Sequence, residues 1–350
     1  WAARQWGGGT PTQLGAATFL SLSRRLDRDF PLAAGAEHSV ELDPRAFDAT
    51  LADALAEAGV TRASLGVQDF DPAVQQAIQR LQDVAMTAGG IALLRARGIQ
   101  RINLDLVYGL PRQTVESLDR TLTAALELAP DRVAVFGYAH VPWMKQHQRL
   151  IDESTLPGAT ERHAMATLVA ERLGAAGFVG VGLDHYARPD DPLARASAAG
   201  LVSRSFQGYS DLPVQGTLGL GASAISAWPE GYAQNHISTR DYLSAIRAGR
   251  LATARGVARD ADDRLRGRII ERLLCDLAVD LGEEAAAAGE AVEGFAELLP
   301  ALRDFAADGL VRLDGWQLAM TQQGRPWVRS VAALFDRHLR PEAGRHARAV

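Results

Sequence analysis

Cysteine occurs once in the 350 residues, at Cys275, and lysine once, at Lys145. A single cysteine excludes an intrachain disulfide and any thiolate metal cluster built from this chain alone. Its setting, Ile269-Ile270-Glu271-Arg272-Leu273-Leu274-Cys275, is an apolar helical run, so a buried structural cysteine is expected. With arginine in place of lysine, ligand carboxylates would meet planar, bidentate guanidinium groups. No apolar run approaches the ~20 residues of a membrane span and no signal peptide opens the chain, so a cytoplasmic protein is expected. A net charge of −5 argues against nucleic acid or an anionic membrane as the main partner. No Ser/His/Asp set has a nucleophile elbow and no His pair has zinc spacing, so no metal ligand and no catalytic residue is named on this chain. The first residue is Trp1, not methionine, and it precedes a glycine turn so closely that a fragment or trimmed chain is expected.

What is there begins at that turn, Trp6-Gly7-Gly8-Gly9-Thr10-Pro11-Thr12. Three glycines allow positive φ and close approach of a ligand to backbone. Thr10 suits an N-cap and Pro11 the first turn of a helix running to about Phe30. The stretch therefore reads as strand, glycine turn and helix N-terminus, a place for a charged small molecule. Alternating segments follow at His38–Asp43, Ala63–Gln68, Arg101–Leu106, Arg132–Tyr138 and Phe178–Leu183. Helical spacing separates them, with Asp71-Pro72 as N-cap and first position of a helix carrying Val74, Ile78 and Leu81 on one face. About six βα units of roughly 30–40 residues imply parallel strands with crossover helices. They suggest a curved, partial barrel more readily than a doubly wound sheet, which periodicity alone does not separate. From about His236 strand signals nearly vanish. Helices over 264–281 and 295–307, then a hairpin about Asp314-Gly315, suggest a small winged-helix-like domain. The expected domains are 1–235 and 236–350.

Strand phase carries the functional reading. Val40 and Leu42 oppose Ser39, Glu41 and Asp43; Ala63, Leu65 and Val67 oppose Gln68; Ile102, Leu104 and Leu106 oppose Asn103 and Asp105. The apolar phase must meet the helices, so the polar phase points into the barrel, where sites lie at the C-terminal ends of strands. An uncompensated inward carboxylate costs several kcal/mol and needs a partner. Glu41, Gln68 and Asp105 beside a glycine turn point to a shared ligand site, with Arg80, one turn into a helix, facing the ligand's carboxylate. Tyr108-Gly109-Leu110-Pro111, Asp184-His185-Tyr186 and Phe206-Gln207-Gly208-Tyr209 rank below these, as a turn, a solvated or core histidine and a packed loop or flat wall.

GGGTPT at Gly7–Thr12, the strand ending at Glu41, GVQDFDPAVQQAIQRLQ at Gly66–Gln82, NLDLVYGLPRQT at Asn103–Thr114, FQGY at Phe206–Tyr209 and LGASAIS at Leu220–Ser226 closely resemble the oxygen-independent coproporphyrinogen III oxidases, radical S-adenosylmethionine (SAM) enzymes of anaerobic haem synthesis. The resemblance spans essentially the whole chain. It implies an α/β fold: a partial (β/α)6 TIM-like barrel of radical SAM type lacking its first unit, plus a small, mainly helical, winged-helix-like C-terminal domain. It implies that Gly8, Glu41 and Ile225 contact the SAM that is cleaved, and that Gly9, Thr10, Gln68, Arg80, Asp105 and Ala139 line a second SAM position. It also implies oxidative decarboxylation of two propionates of coproporphyrinogen III to protoporphyrinogen IX by a deoxyadenosyl radical, an electron acceptor, and a monomer. The family's [4Fe–4S] cluster is held by three cysteines spaced CxxxCxxC, on a loop that would precede GGGTPT. Those ligands are absent from this sequence, so about the first hundred residues are expected to be missing and the chain to be inactive alone. A haem-trafficking chaperone relative shares the GGGTP turn and YGLP segment and is the alternative reading.

Overall fold

A computed structural model describes residues 1–212 and 215–339. The chain divides into two compact units, the first ending at Arg195 and the second running from Ala196 to Arg340. That division falls earlier than the boundary at 235 expected from the loss of strand signals, and residues 340–350 of the expected second domain lie outside the described residues.

The first unit alternates strand and helix. Its elements are β1 (Ala3–Trp6), α1 (Ala16–Asp29), β2 (Glu37–Leu42), α2 (Ala49–Glu57), β3 (Arg62–Gln68), α3 (Pro72–Ala77), α4 (Val84–Ala96), β4 (Arg101–Tyr108), α5 (Val115–Glu127), β5 (Arg132–Gly137), α6 (Ala159–Ala175), β6 (Val179–Val181) and β7 (His185–Ala187), before α7 (Pro192–Ala198). Strand order is β1-β2-β3-β4-β5-β7-β6, with β1 to β5 all parallel. Each parallel strand lies beside its predecessor, so no switch point exists. Right-handed crossovers, the general rule for such connections, would then place the intervening helices on one face, which excludes a doubly wound order. The seven strands form an open series rather than a closed ring.

The buried phase of each strand is the apolar one. Val40, Leu42, Ala63, Leu65, Val67, Ile102, Leu104 and Leu106 are all within 5 % exposed and join Leu51, Leu55, Ile91, Leu94, Leu118 and Leu122 from the helices. Asp71 caps α3 by accepting from the Ala73 and Val74 amides, as its Asp-Pro sequence predicts.

Five local expectations are corrected. Pro11–Leu14 is a 3-10 turn and Thr10 makes no side-chain cap; α1 starts only after Gly15, whose φ of 74° breaks the run. Helix α3 stops at Ala77, leaving Leu81 66 % exposed, and places Arg80 in the loop before α4 rather than on a helix. The sixth unit of the (β/α)6 expectation is instead an antiparallel hairpin, because β6 and β7 fold back on each other and β7 pairs antiparallel to β5. Strands also persist beyond 236 in the second unit, and the helix expected over 264–281 breaks at Leu277, whose φ is 59°.

That second unit holds β8 (Ser203–Ser205) and β9 (Gly208–Ser210), then β10 (Ile225–Trp228), β11 (Gly231–Asn235), α8 (Thr239–Arg247) and β12 (Thr253–Ala258). It closes with α9 (Ala261–Asp276), β13 (Ala278–Asp280), α10 (Leu281–Ala288), α11 (Leu299–Ala307), β14 (Val311–Asp314), β15 (Gln317–Met320) and α12 (Val328–Ala333). The sheet β13-β15-β14 contains the foreseen hairpin, shifted by one residue so that Gly315 and Trp316 make the turn. Cys275 is buried on α9, and burial pushes its thiol up to about 12.

At the N-terminal ends of the parallel strands, charge is buried in a closed set. Arg62 donates to Glu37 at 2.9 Å and to Asp191 at 3.1 Å, while Arg132 donates to Asp191 at 2.8 Å. Arg62 is 3 % exposed and Asp191 6 %. Although burial pushes the Asp191 carboxyl up, the Arg132 and Arg62 guanidiniums hold it below the usual range. Removing one partner strands the rest in low dielectric. Asp191→Ala is therefore expected to cost about 3–5 kcal/mol in urea unfolding, whereas an exposed pair such as Arg24–Glu57 is expected to cost under about 1 kcal/mol.

Candidate functional site

The opposite ends of the same strands form the candidate site. β1 runs straight into the glycine turn, and Trp6 donates from its indole to His38 Nε2 at 2.7 Å, fixing the turn against β2. A Cβ at Gly7 would stand 2.5 Å from Glu41 Oε1, so the glycine leaves the Glu41 carboxyl its place beside the turn. Gly8, at φ 83°, and Gly9, at φ 151°, take backbone that a side chain disfavours, and open space lies where their Cβ atoms would be. Thr10 follows, partly buried.

Glu41 lies one residue from the end of β2, in register with Ser64 of β3, which is in register with Asn103 of β4. Burial and then the nearby Asp105 charge raise the Glu41 carboxyl above its ordinary value; the Gly8 amide and the Gln5 side chain oppose this. Asp105 sits one step nearer the mouth, beside Gly66 and Ala134. It accepts from Ser64 Oγ at 2.8 Å and from Asn103 Nδ2 at 2.8 Å, and Asn103 also donates to Ser64 at 2.7 Å. Burial nevertheless raises its carboxyl, against the pull of the Ser64 hydroxyl, the His185 charge and the Asn103 amide.

Gln68 ends β3 at φ 70°, and the β3–β4 register shifts between Gly66 and Gln68. This bulge re-aims the side chain, a feature alternation does not reveal. A Cβ on Gly66 would lie 3.2 Å from Gln68 Nε2 and 3.3 Å from Arg80 Nη2, so the glycine makes room for both. Arg80 reaches back from its loop to donate to the Gly66 carbonyl at 2.7 Å, and its Nη2 is 3.4 Å from Asp43 Oδ1. Asp43 itself is gripped in bidentate fashion by Arg45, so it is not an open ligand group. The Arg80 Nε is buried without a partner, and burial lowers the guanidinium from its ordinary value.

Glu41, Gln68, Arg80 and Asp105 are thus brought to one mouth beside Gly8, Gly9 and Thr10. Ala139 follows β5, where its carbonyl accepts from Gln148 Nε2 at 3.0 Å. Ile225 opens β10 in the second unit. The supporting residues Gly7, Gly66, Ser64 and Asn103 carry no chemistry of their own, and only the fold shows why they are needed. Sequence reading also left His185 as a solvated or core residue, whereas it lies on the inner face, its ring centre 5.8 Å from that of Phe136.

The sheet is wound in strict sequence, with two inward carboxyls and a guanidinium whose Nε has no partner at its mouth, and the Radical SAM superfamily matches residues 5–125. The HemN C-terminal domain matches residues 260–327. The oxygen-independent coproporphyrinogen III oxidase of Bradyrhizobium diazoefficiens is 47% identical over 99% of this chain and 77% of its own length. That of Paracoccus denitrificans is 44% identical over 95% of this chain and 73% of its own length. The solved structure of the Escherichia coli coproporphyrinogen III oxidase HemN, a radical SAM enzyme, superposes with a TM-score of 0.91 at 37% identity, over 97% of this chain and 78% of that one. The chain belongs to the oxygen-independent coproporphyrinogen III oxidase family of radical SAM enzymes.

Members of this superfamily use SAM and a [4Fe–4S] cluster. The residues fit SAM: the orphaned Arg80 Nε suits its carboxylate, the inward carboxylates suit its ammonium and ribose hydroxyls, and the glycines leave the space. They do not fit the cluster. Cys275, the single cysteine, is buried in α9 with a thiol pushed to about 12, and no three metal-ligating side chains gather among the described residues.

Raised carboxyls bind protons more tightly in the folded state, so folding stability is lost as pH rises through their folded values. Glu41→Gln removes that loss for one group. It is expected to raise the thermal midpoint near neutral pH, with the gain fading as pH falls towards about 4, the ordinary glutamate value; a constant gain at both ends would contradict a buried, ionisable Glu41.

Proposed function

We propose that this chain serves the oxygen-independent oxidation of coproporphyrinogen III in porphyrin and haem synthesis, the substrate class its relatives are named for. The reaction is the oxidative decarboxylation of two propionates to give protoporphyrinogen IX, with SAM as the source of the hydrogen-abstracting group. The chain's own part is to bind and orient SAM: Gly8 and Glu41 against the molecule that is cleaved, and Gly9, Thr10, Gln68, Arg80, Asp105 and Ala139 around a second position. The unit ending at Arg195 carries this site, and the second unit, with its match to the HemN C-terminal domain over residues 260–327, is the oxidase-type domain.

One observation carries the reading. Two inward carboxyls, Glu41 and Asp105, and an Arg80 guanidinium whose Nε has no partner lie at a glycine-lined opening, a complement to the charges of an amino-acid zwitterion. Charge-assisted hydrogen bonds of this kind are roughly twice as strong as neutral ones. The haem-trafficking alternative is not carried further, since the relatives described above are oxidases and no feature of the mouth favours it.

Calorimetric titration of SAM tests the site. Glu41→Ala and Asp105→Ala are each expected to weaken binding about tenfold or more, the loss of a charge-assisted contact worth about 1.5–3 kcal/mol; unchanged affinity in both would remove the assignment. Cysteine content makes a second prediction. A protein of this sequence, reconstituted anaerobically with iron and sulfide, is expected to take up no stoichiometric cluster and to release no deoxyadenosine from SAM, and stoichiometric iron with deoxyadenosine would overturn it.

A further inference from the structure

The connection from β5 to α6 runs over residues 138–158, far longer than the 109–114 link from β4 to α5. Links of more than about 12–15 residues in a compact domain usually carry function. The first half of this one is tightly built. The Gln148 side chain is buried at its centre, accepting from the Val141 amide at 2.6 Å and donating to the Ala139 carbonyl at 3.0 Å. The amides of Met144 and Lys145 both donate to the Val141 carbonyl, at 2.8 and 2.9 Å. The root is pinned as well. Arg162 donates to the Tyr138 carbonyl at 2.9 Å, and His140 lies 3.2 Å from the Tyr138 hydroxyl and 3.0 Å from Glu153. Yet this well-bonded loop turns large apolar side chains to solvent, with Trp143, Met144 and Leu150 exposed by 45, 69 and 79 %. Single exposed apolar residues are ordinary, but three so close together in one loop form a patch.

Charge completes the patch. From Tyr138 to Ile151 the chain holds Lys145 and Arg149 and no aspartate or glutamate, in a protein of net charge −5. Among the described residues neither cation makes an ion pair; Arg149 donates from Nε to the Pro142 carbonyl at 3.3 Å. The acids that follow are engaged, Asp152 by the Ser154 amide and hydroxyl and Glu153 by His140. Ala139, at the root of the loop, is proposed above for the second SAM position, so the patch stands beside the mouth. Its ligand must have an apolar body and anionic arms and must come to that mouth. A tetrapyrrole bearing propionates meets all three conditions. We propose that the 141–150 loop grips the substrate tetrapyrrole, with Trp143 and Met144 against the macrocycle and Lys145 and Arg149 on its carboxylates. Because the loop is bonded in place beforehand, little ordering entropy is lost when the substrate docks. A lipid surface would also accept an aromatic and two cations, but the root at the mouth favours the substrate.

This inference rests on the reading of coproporphyrinogen III as the substrate, and its test separates the two. Coproporphyrin III, the air-stable oxidised form of that substrate, is titrated with the full chain and followed by its fluorescence. Trp143→Ala is expected to weaken binding about tenfold or more, as loss of an aromatic anchor does. Lys145→Gln is expected to weaken it about threefold, within the range of an exposed ion pair, and to flatten its dependence on salt. The cations also set a preference. Wild type is expected to favour coproporphyrin III over deuteroporphyrin IX, which carries fewer carboxylates on the same ring, and the double variant Lys145→Gln, Arg149→Gln to lose most of that margin. SAM affinity, titrated in parallel, is expected to stay level throughout. If Trp143→Ala does not fold, the lysine variant and the comparison of the two porphyrins decide the matter. Porphyrin affinity and preference unchanged in the variants, or an equal loss for SAM and porphyrin, overturns the inference and leaves the substrate reading standing. So does Trp143-dependent binding to phosphatidylglycerol vesicles with porphyrin affinity unmoved. A wild-type chain that binds no coproporphyrin III overturns both.

Discussion

Everything at the site depends on the first unit being wound in one sense. Five parallel strands laid down in sequence order and joined by four crossovers, right-handed by the general rule, put the helices between them on the same face of the sheet. That face takes the apolar phase of each strand. The other phase is released from the demand to pack against helices, and polar groups accumulate on it that a doubly wound sheet, covered on both faces, would exclude.

Those inward groups are sorted by height. At the floor, Glu37, Arg62, Arg132 and Asp191 neutralise one another. Above them lies the hydroxyl and amide pair of Ser64 and Asn103, and nearest the mouth stand Asp105 and Arg80 with Glu41 close by. Charge is compensated internally where no ligand reaches and left incompletely compensated where one does. The same gradient explains why the floor favours folding while the mouth costs stability, as functional sites commonly do. The glycines at 7 and 66 serve the same end, because each yields its Cβ volume to a functional side chain.

Membership of the oxidase family sits beside a donor set that does not fit the family's cluster. Cys275 is a core residue of α9 in the second unit, whereas the SAM-fitting residues other than Ile225 all belong to the first. In the reading proposed above, this chain's residues serve the handling of SAM: two carboxylates, one guanidinium and a backbone cradle, set in register by parallel strands. Any chemistry at a bound substrate would draw on that positioning.

Much of this was legible in the amino-acid sequence. Period-two alternation located β2, β3, β4 and β5 and gave the facing of Glu41 and Asp105, because a strand's side chains must alternate whatever surrounds it. Short motifs carried the family, and Asp71-Pro72 the start of α3. Local rules failed where distant partners decide the outcome. The backbone of Gln68 turns left-handed because the β3–β4 register slips there, and Arg80 leaves its expected helix to bond the Gly66 carbonyl, 14 residues back in the chain. The sixth strand became an antiparallel hairpin, and His185, ranked low in the sequence as a solvated or core histidine, thereby came to lie opposite Ala134 of β5. Composition and periodicity determined which residues are inward and which elements they ride on. Which inward residues meet, and with what charge between them, was settled only by register and strand order, since those depend on pairings between segments that no local pattern encodes.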